Sequence, residues 1–154
     1  MTIIKRELIV PYSDKQMFDL VNDIKRYPEF LNWCSQARLI KESQAHQDEI
    51  YQDYIEAELT ISYSGVLKQF TTRNSLVPNS KIIMSLVEGP FKHLHGVWEF
   101  KIIDNSGNLG CKVEFSLDFE FSNYFVSMMF GKVFQEIAEK IVGSFSARAK
   151  QVYG

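Results

Sequence analysis

The sequence predicts an α+β fold in which a curved antiparallel sheet wraps around one long C-terminal helix, with two short helices after the first strand. Between Cys111 and Phe121, apolar and polar residues alternate, which is typical of a strand with one buried face. From Asn123 onward, apolar residues recur three or four apart, as on one face of an α-helix. This face is wide and rich in aromatic residues, so it must pack against a large surface, and the rest of the chain offers only a sheet. Its apolar positions are Phe130, Val133, Phe134, Ile137, Ile141, Val142, Phe145, Ala149 and Val152.

The N-terminal segment reads as a strand, Thr2 to Val10, followed by two short helices. Ser13 and Gln16 have the spacing of a capping box at the start of the first helix. Its apolar face is predicted from Met17, Phe18, Leu20, Val21 and Ile24. Tyr27-Pro28 interrupts this helix, because proline disfavours the α-helical region in the residue before it. The second short helix is predicted through Phe30, Leu31 and Trp33.

From Ala37 to Phe121 the sequence predicts six strands in succession. Turn residues separate them at Ser64-Gly65, Pro78-Asn79-Ser80, Glu88-Gly89-Pro90 and Asn105-Ser106-Gly107. Consecutive strands joined by short turns imply an antiparallel meander. The predicted strands are Arg38–Ser43, Glu49–Ile61, Val66–Asn74, Lys81–Val87, His93–Ile103 and Cys111–Phe121.

The bulk composition predicts one domain, residues 1–154, and limits the classes of partner. The chain has 154 residues, of which 45% are hydrophobic and 14% aromatic, enough for a substantial core. A formal charge of −2 argues against a general nucleic-acid surface, so we expect no DNA partner. No signal peptide, transit segment or membrane span is apparent. We therefore expect a cytoplasmic protein with at most peripheral contact with the inner membrane.

The residues that most often carry catalysis or bind metals form no recognisable constellation. Cys34 and Cys111 are predicted to be reduced and buried, because they lie on different elements of a chain expected in the cytosol. His93 and His95 share one face of a predicted strand, but His46 is distant in sequence and no third ligand has helpful spacing, so no metal site is predicted. The sequence contains no G-x-S-x-G, P-loop, G-x-G-x-x-G or H-E-x-x-H motif. We predict a protein without catalytic residues.

Several segments, in this order and spacing, resemble the coenzyme Q-binding START-domain family of the START-like, or polyketide cyclase, superfamily. The resemblance covers nearly the whole chain, and its bacterial branch includes proteins described as ribosome association toxins. Asn32 departs from the pattern, since many relatives have proline there, and this affects the expected shape of the cavity mouth. The segments are MFDLVNDIKRYPEFLNWC (17–34), FTTRN (70–74), LVEGPFKHLHGVWEF (86–100), CKVEFSLDFEFSN (111–123) and RAKQVYG (148–154).

The resemblance implies a helix-grip fold with an internal apolar cavity. Its first functional implication is a non-enzymatic protein that binds ubiquinone or a related polyprenyl quinone, without any other cofactor, and supports respiratory electron transport or quinone biosynthesis. The alternative is a toxin-like protein that binds the large ribosomal subunit and blocks subunit joining. A minor alternative is an enzyme of the aromatase/cyclase type.

A quinone pocket needs a deep apolar lining and an entrance that can open. The same residues can also serve only as core, and both interpretations stay open from the sequence. The lining is predicted from Phe30, Trp33, Phe70, Leu86, Trp98, Phe100, Phe134, Ile137 and Ile141. The entrance, which could also touch a bilayer, is predicted from Tyr124, Phe125, Met128, Met129 and Phe130 beside Gly89-Pro90-Phe91. Glu88 and Arg73 are candidate polar contacts, with solvated roles as the alternative.

The ribosome interpretation requires a surface that matches RNA or ribosomal protein. Contact with phosphate groups needs clustered positive charge. The ribosome function is therefore favoured if the fold brings the cations together on one surface, and disfavoured if it leaves them apart. The candidate cations are Lys5, Arg6, Lys25, Arg26, Arg38, Lys41 and Lys68.

Overall fold

The computed structural model describes residues 1–43, 53–105 and 108–154, and it confirms the predicted architecture. The strands are β1 (Thr2–Val10), β2 (Cys34–Ser43), β3 (Asp53–Tyr63), β4 (Val66–Val77), β5 (Lys81–Glu88), β6 (Phe91–Asn105) and β7 (Asn108–Phe121). The helices are α1 (Asp14–Asn22), a 3₁₀ helix (Ile24–Glu29) and α2 (Tyr124–Tyr153). In the described part of the chain the strands form one curved antiparallel sheet in the order β1-β7-β6-β5-β4-β3-β2. The two edges of the sheet are therefore β1 and β2.

The capping box at the start of α1 is present as predicted. The Ser13 hydroxyl accepts a hydrogen bond from the Gln16 backbone N–H at 3.0 Å, and the Gln16 side chain accepts one from the Ser13 N–H at 2.9 Å. These bonds satisfy two backbone donors that have no partner within the helix. α1 then buries Met17, Phe18 and Val21 against the core.

The second short helix begins earlier than the sequence predicted and ends before Phe30. α1 stops at Asn22, and the 3₁₀ helix from Ile24 to Glu29 contains Pro28 in its interior. Pro28 removes only one N–H donor, which a single short 3₁₀ turn tolerates better than a longer α-helix. The prediction that Ile24 belongs to the first helix, and that the second runs through Phe30, Leu31 and Trp33, was wrong.

The strands follow the predicted alternation, but several are longer than predicted. β2 begins at Cys34 and β4 ends at Val77, while the residues 49–52 predicted in the third strand lie outside the described part of the chain. The Ser64-Gly65 turn has two consecutive positive φ angles, 53° and 80°, which is the conformation that suits a tight hairpin. Gly89 is required at its position, because a Cβ atom there would lie 2.6 Å from the Cβ of Phe70.

α2 packs its apolar face against the inner face of the sheet. It begins after Asn123, which caps the helix: the Asn123 side chain accepts a hydrogen bond from the Val126 N–H at 2.9 Å. Its fully buried residues are Phe130, Phe134, Ile137, Ala138, Val142, Phe145 and Ala149. Val133 and Ile141 are half-buried, and Val152 is exposed, so the last of the predicted apolar positions lies beyond the core. Glu136 and Lys140 form an ion pair at 3.1 Å on the outer side of the helix.

Candidate functional site

An apolar cavity lies between the middle of α2 and the inner faces of the strands. Its volume is about 70 Å³. Alternate residues of β3, β4, β6 and β7 point inward, and α2 closes the other side. The wall consists of Ile24, Tyr27, Trp33, Ala57, Leu59, Ile61, Phe70, Thr72, Asn74, Met84, Leu94, Trp98, Phe115, Leu117, Phe134, Ile137, Ala138 and Ile141.

Small residues explain why the core leaves this space. Ala57 on β3 and Ala138 on α2 are both buried in the wall, where a larger side chain would fill the gap. Gly96 lets the Met84 side chain lie over β6, since a Cβ atom at position 96 would come within 2.5 Å of the Met84 Cε. The cavity thus arises where the apolar face of the helix meets short side chains.

Among the described wall residues, hydroxyl and amide side chains come from Thr72 and Asn74 on β4 and from Tyr27. The Thr72 hydroxyl donates a hydrogen bond to the Asn74 Oδ1 at 2.7 Å, and both residues are buried. The Tyr27 hydroxyl donates to the Val21 carbonyl, and burial raises the pKa of this phenol, so it stays neutral. Charged side chains are absent from the described wall. The cavity therefore suits a neutral, largely apolar molecule.

Six of the twelve residues predicted to contact a ligand lie in this wall: Trp33, Phe70, Trp98, Phe134, Ile137 and Ile141. The structure places the other six elsewhere: Phe30, Leu86, Phe91, Phe100, Met129 and Phe130.

The six residues outside the wall have identifiable positions. The ring centres of Phe30 and Phe145 are 5.3 Å apart. The Arg148 guanidinium lies 5.0 Å from the ring centre of Phe30. Phe100 packs against Phe18 at 5.9 Å. Leu86 packs on the edge of the core. These side chains therefore pack around the core without facing the cavity.

Phe91 and Phe130 belong to a close-packed aromatic group near the start of α2. The ring centre of Phe91 lies 5.4 Å from that of Phe121 and 4.9 Å from that of Phe134. The ring centres of Phe130 and Phe121 are 5.7 Å apart. These are ordinary spacings for packed aromatic rings. The aromatic rings at this end of the core therefore pack against one another.

Sequence reasoning missed Thr72 and Asn74, although a signal was present. Inward positions of β4 alternate from Val66 to Leu76, and the period assigns Thr72 and Asn74 to the buried face. Polar residues at positions that the period assigns to the core mark a candidate site. Arg73, proposed as a polar contact, instead pairs with Glu56 at 2.7 Å on the outer face, and Glu88 is exposed.

Four of the five entrance residues predicted at the start of α2 form an exposed apolar surface, whereas Phe130 is buried. We call Tyr124, Phe125, Met128 and Met129 the apolar tip; they are 76%, 77%, 64% and 69% exposed. The turn between β5 and β6 lies beside it, since the Ser122 N–H donates to the Pro90 carbonyl at 3.1 Å. The apolar tip therefore lies on the outside of the helix, separate from the cavity wall.

The thiols and histidines show no catalytic arrangement within the described ranges. Cys34 and Cys111 are free and buried, and burial raises the pKa of each thiol to about 11, so neither is a thiolate near neutral pH. His93 lies 3.3 Å from Asp118, and His95 is exposed on the outer face. His46 lies outside the described residues. Among residues 1–43, 53–105 and 108–154, no group of three His, Cys, Asp or Glu side chains could hold a metal ion.

A family model described as polyketide cyclase / dehydrase and lipid transport matches residues 10–146. The chain belongs to this family. It is 45% identical over 151 residues to the ribosome association toxin RatA of Vibrio cholerae, covering 98% of this chain and 97% of that protein. It is 24% identical over 147 residues to the mitochondrial coenzyme Q-binding protein COQ10 homolog B of Xenopus laevis, covering 95% of this chain and 57% of that protein. The resemblance inferred from the sequence motifs is thereby confirmed.

The fold is shared with an enzyme of distant sequence. The Zhui aromatase/cyclase from a Streptomyces species superposes with a TM-score of 0.81 at 14% identity, covering 99% of this chain and 96% of that one. This likeness concerns the fold alone. In the described part of the chain, no helix is both long enough and apolar enough to cross a membrane.

Proposed function

We propose that the protein associates with ribosomes, binding the large subunit and blocking subunit joining. The observation that supports this proposal is the end-to-end similarity, at 45% identity, to a protein named ribosome association toxin. The similarity extends through the apolar tip and both edges of the sheet, because 98% of the chain is covered. The proposal reverses the order of the two functions that the motifs alone favoured.

The cations favour a contact that does not depend mainly on phosphate groups. Arg6 pairs with Glu139 at 3.2 Å, and Arg38 pairs with Glu58 at 2.9 Å. Arg26 likewise lies within 3.4 Å of acidic partners. Arg6 and Arg38 lie on β1 and β2, the opposite edges of the sheet. Three of the seven candidate cations are thus paired with carboxylates, and two of these three lie at opposite edges of the sheet. This arrangement weakens a contact driven by phosphate.

The apolar tip is the stronger candidate for the contact. Four large apolar side chains, all more than three-fifths exposed, cluster on the first two turns of α2. Exposed apolar patches on proteins commonly mark interaction surfaces. We infer that the tip contacts the ribosome.

Co-sedimentation with purified large subunits in a salt series tests the proposal. We expect association at low salt that weakens only slightly as salt rises, because burial of apolar surface is not screened. A steep loss with salt would assign the contact to phosphate groups instead of the tip. No association at low salt would remove the ribosome function.

A second function is supported by the cavity: binding of an apolar ligand such as ubiquinone or a related polyprenyl quinone. The relative named as a coenzyme Q-binding protein points in the same direction. At about 70 Å³ the cavity is smaller than typical ligand pockets of roughly 300–1,000 Å³. Entry of a quinone ring therefore requires movement of the half-buried wall residues Leu59, Phe70, Met84 and Ile141.

Organic extraction and mass spectrometry of protein purified from a quinone-producing host tests this second function. The variant Ala138→Leu fills the cavity from the helix side, and we expect it to lose a quinone that the wild type carries. Wild-type protein that carries no quinone and binds none when it is added would remove quinone binding and leave the ribosome proposal intact.

Both proposed functions are non-enzymatic, and both place the protein in the cytoplasm. The high pKa of each thiol and the outward position of His93 and His95 support the absence of catalysis. Quinone transfer would additionally bring the apolar tip to the inner-membrane surface, as its exposed aromatic and methionine side chains permit. An aromatase/cyclase activity has no support beyond the shared fold.

A further inference from the structure

Asn74 is a buried amide that faces an apolar cavity. It lies on β4 between Ile55 of β3 and Met84 of β5, and only 3% of it is exposed. Its Oδ1 accepts the hydrogen bond from the Thr72 hydroxyl at 2.7 Å. This bond fixes which half of the amide is occupied, and it leaves the Nδ2 group as the free half.

The donor half of this amide has no acceptor in the structure. Within residues 1–43, 53–105 and 108–154, the one side-chain hydrogen bond of Asn74 is made at its Oδ1, and the Nδ2 group donates none. Buried polar groups in proteins are nearly always paired, because desolvation without a partner is unfavourable. A buried amide in the cavity wall whose donor half has no acceptor among these residues indicates a ligand that supplies one.

The chemistry of the cavity wall further restricts the class of ligand that can bind. Charged side chains are absent from the described wall, so an ionised ligand would be buried without a counter-charge. A neutral molecule with a carbonyl oxygen accepts from Asn74 and brings no additional donor into an apolar space. A water molecule would bring two O–H donors to the same place, where few acceptors are available.

We propose that Asn74 is the polar contact that selects the cavity's ligand, and that this ligand is a neutral, largely apolar molecule with a ketone- or quinone-type oxygen. The proposal rests on the second function above, binding of an apolar ligand, and adds the residue that recognises its oxygen. Thr72 acts as a positioning residue, since its hydroxyl holds the Asn74 carbonyl oxygen and so orients the N–H groups towards the ligand.

A matched pair of small probes tests this role. Acetophenone carries a carbonyl oxygen where ethylbenzene carries a methylene group, and the two are otherwise similar in shape. Their affinities are measured by titration of ¹H–¹⁵N NMR spectra of the wild type and of Asn74→Leu, which keeps the approximate size and removes the donor. Thr71→Val is the matched control, because Thr71 is also buried on β4 but lies outside the cavity wall.

We expect Asn74→Leu to weaken acetophenone binding about three- to tenfold, the value of one neutral hydrogen bond, and to leave ethylbenzene binding unchanged or tighter. In the wild type, acetophenone but not ethylbenzene should shift the Asn74 side-chain amide resonance, which a merely structural role would not produce. Thr71→Val should match the wild type with both probes.

The outcomes distinguish ligand binding in the cavity from recognition of the ligand by Asn74. If both probes bind the wild type and Asn74→Leu affects them equally, or affects neither, Asn74 does not select the ligand, although the cavity binds one. If neither probe binds the wild type, ligand binding in this cavity fails, and the role of Asn74 fails with it. A thermal melt confirms that Asn74→Leu is folded in each case.

Discussion

The start of α2 and its middle differ in how the helix meets its surroundings. At the start, Phe130 is fully buried among aromatic rings while its neighbour Met129 is 69% exposed on the apolar tip. In the middle, Ala138 faces an apolar cavity of about 70 Å³, which Phe134, Ile137 and Ile141 of the same helix also line. The same helix therefore presents two different surfaces. The exposed apolar tip at its start suits contact with a partner, and the buried face at its middle suits a small molecule.

The sharpest contrast in stability is expected between adjacent residues at the start of α2. Phe130→Ala should lower the free energy of unfolding by about 3–5 kcal/mol, because it leaves a cavity among packed rings. Met129→Ala should change it by less than about 0.5 kcal/mol, since the side chain is largely in water. Chemical denaturation of both variants measures the difference. Equal effects would mean that the tip is packed in solution.

Two alanines on the buried face of α2 distinguish the filled core from the cavity. Ala149→Leu should destabilise the protein by about 1–3 kcal/mol, because Ala149 is fully buried away from the cavity and the extra atoms have no space. Ala138→Leu should cost less than about 1 kcal/mol, because the cavity accepts part of the new side chain. Denaturation curves for the pair provide the measurement. A larger cost at Ala138 would show that the cavity is not available to side chains.

Asn74→Leu should raise the free energy of unfolding of the ligand-free protein by about 1 kcal/mol. The substitution removes a buried amide that has one hydrogen bond and an unpaired donor, and it adds apolar contacts. Stability that is sacrificed for binding is common at functional sites. Thermal and chemical denaturation without ligand measure the change, with Thr71→Val as the control. A loss of more than about 1 kcal/mol would indicate a structural role for the amide.

The smallest effect concerns alkaline pH. Burial raises the pKa of Cys34 and Cys111 from 9.0 to about 11, so the folded state keeps protons that the unfolded chain loses in this range. Stability should therefore fall as the pH rises from about 9 to about 11. The double variant Cys34→Ala/Cys111→Ala should show a shallower fall in denaturation experiments across this range. Tyr27 contributes in the same direction in both proteins. Parallel curves would contradict buried, protonated thiols.

The sequence predicted the sheet, α2 and the capping box of α1, because these elements depend on local periodicity and on hydrogen-bonding groups close in sequence. It misplaced the second short helix, because the tolerance of a 3₁₀ turn for Pro28 depends on how few bonds that turn contains. Periodicity identified which residues point inward, but it could not tell a filled core from a cavity. That distinction depends on which small residues face each other, such as Ala57 and Ala138, and their meeting is set by tertiary packing.

The predicted site residues also divide into those that face the cavity and those that fill the core. Trp33, Phe70 and Trp98 were predicted correctly as wall residues because they are inward and near the middle of the helix. Phe91 and Phe100 have the same pattern but lie outside the wall. Large apolar side chains therefore predict burial, while small or polar residues at inward positions are the better indicator of a cavity. Asn74 and Thr72 carry that signal in the printed sequence.

The central claim is that ribosome association uses the apolar tip and is independent of the cavity. The most direct test is co-sedimentation with purified large subunits for the wild type, Phe125→Ser/Met129→Ser, Ala138→Leu and the control Leu67→Ser. Leu67 is as exposed as Met129 but lies beside the β3–β4 turn. We expect the double tip variant to bind at least about tenfold more weakly, because exposed apolar anchors dominate such contacts, while Ala138→Leu and Leu67→Ser bind like the wild type. A double tip variant that binds as tightly as the wild type would contradict the account.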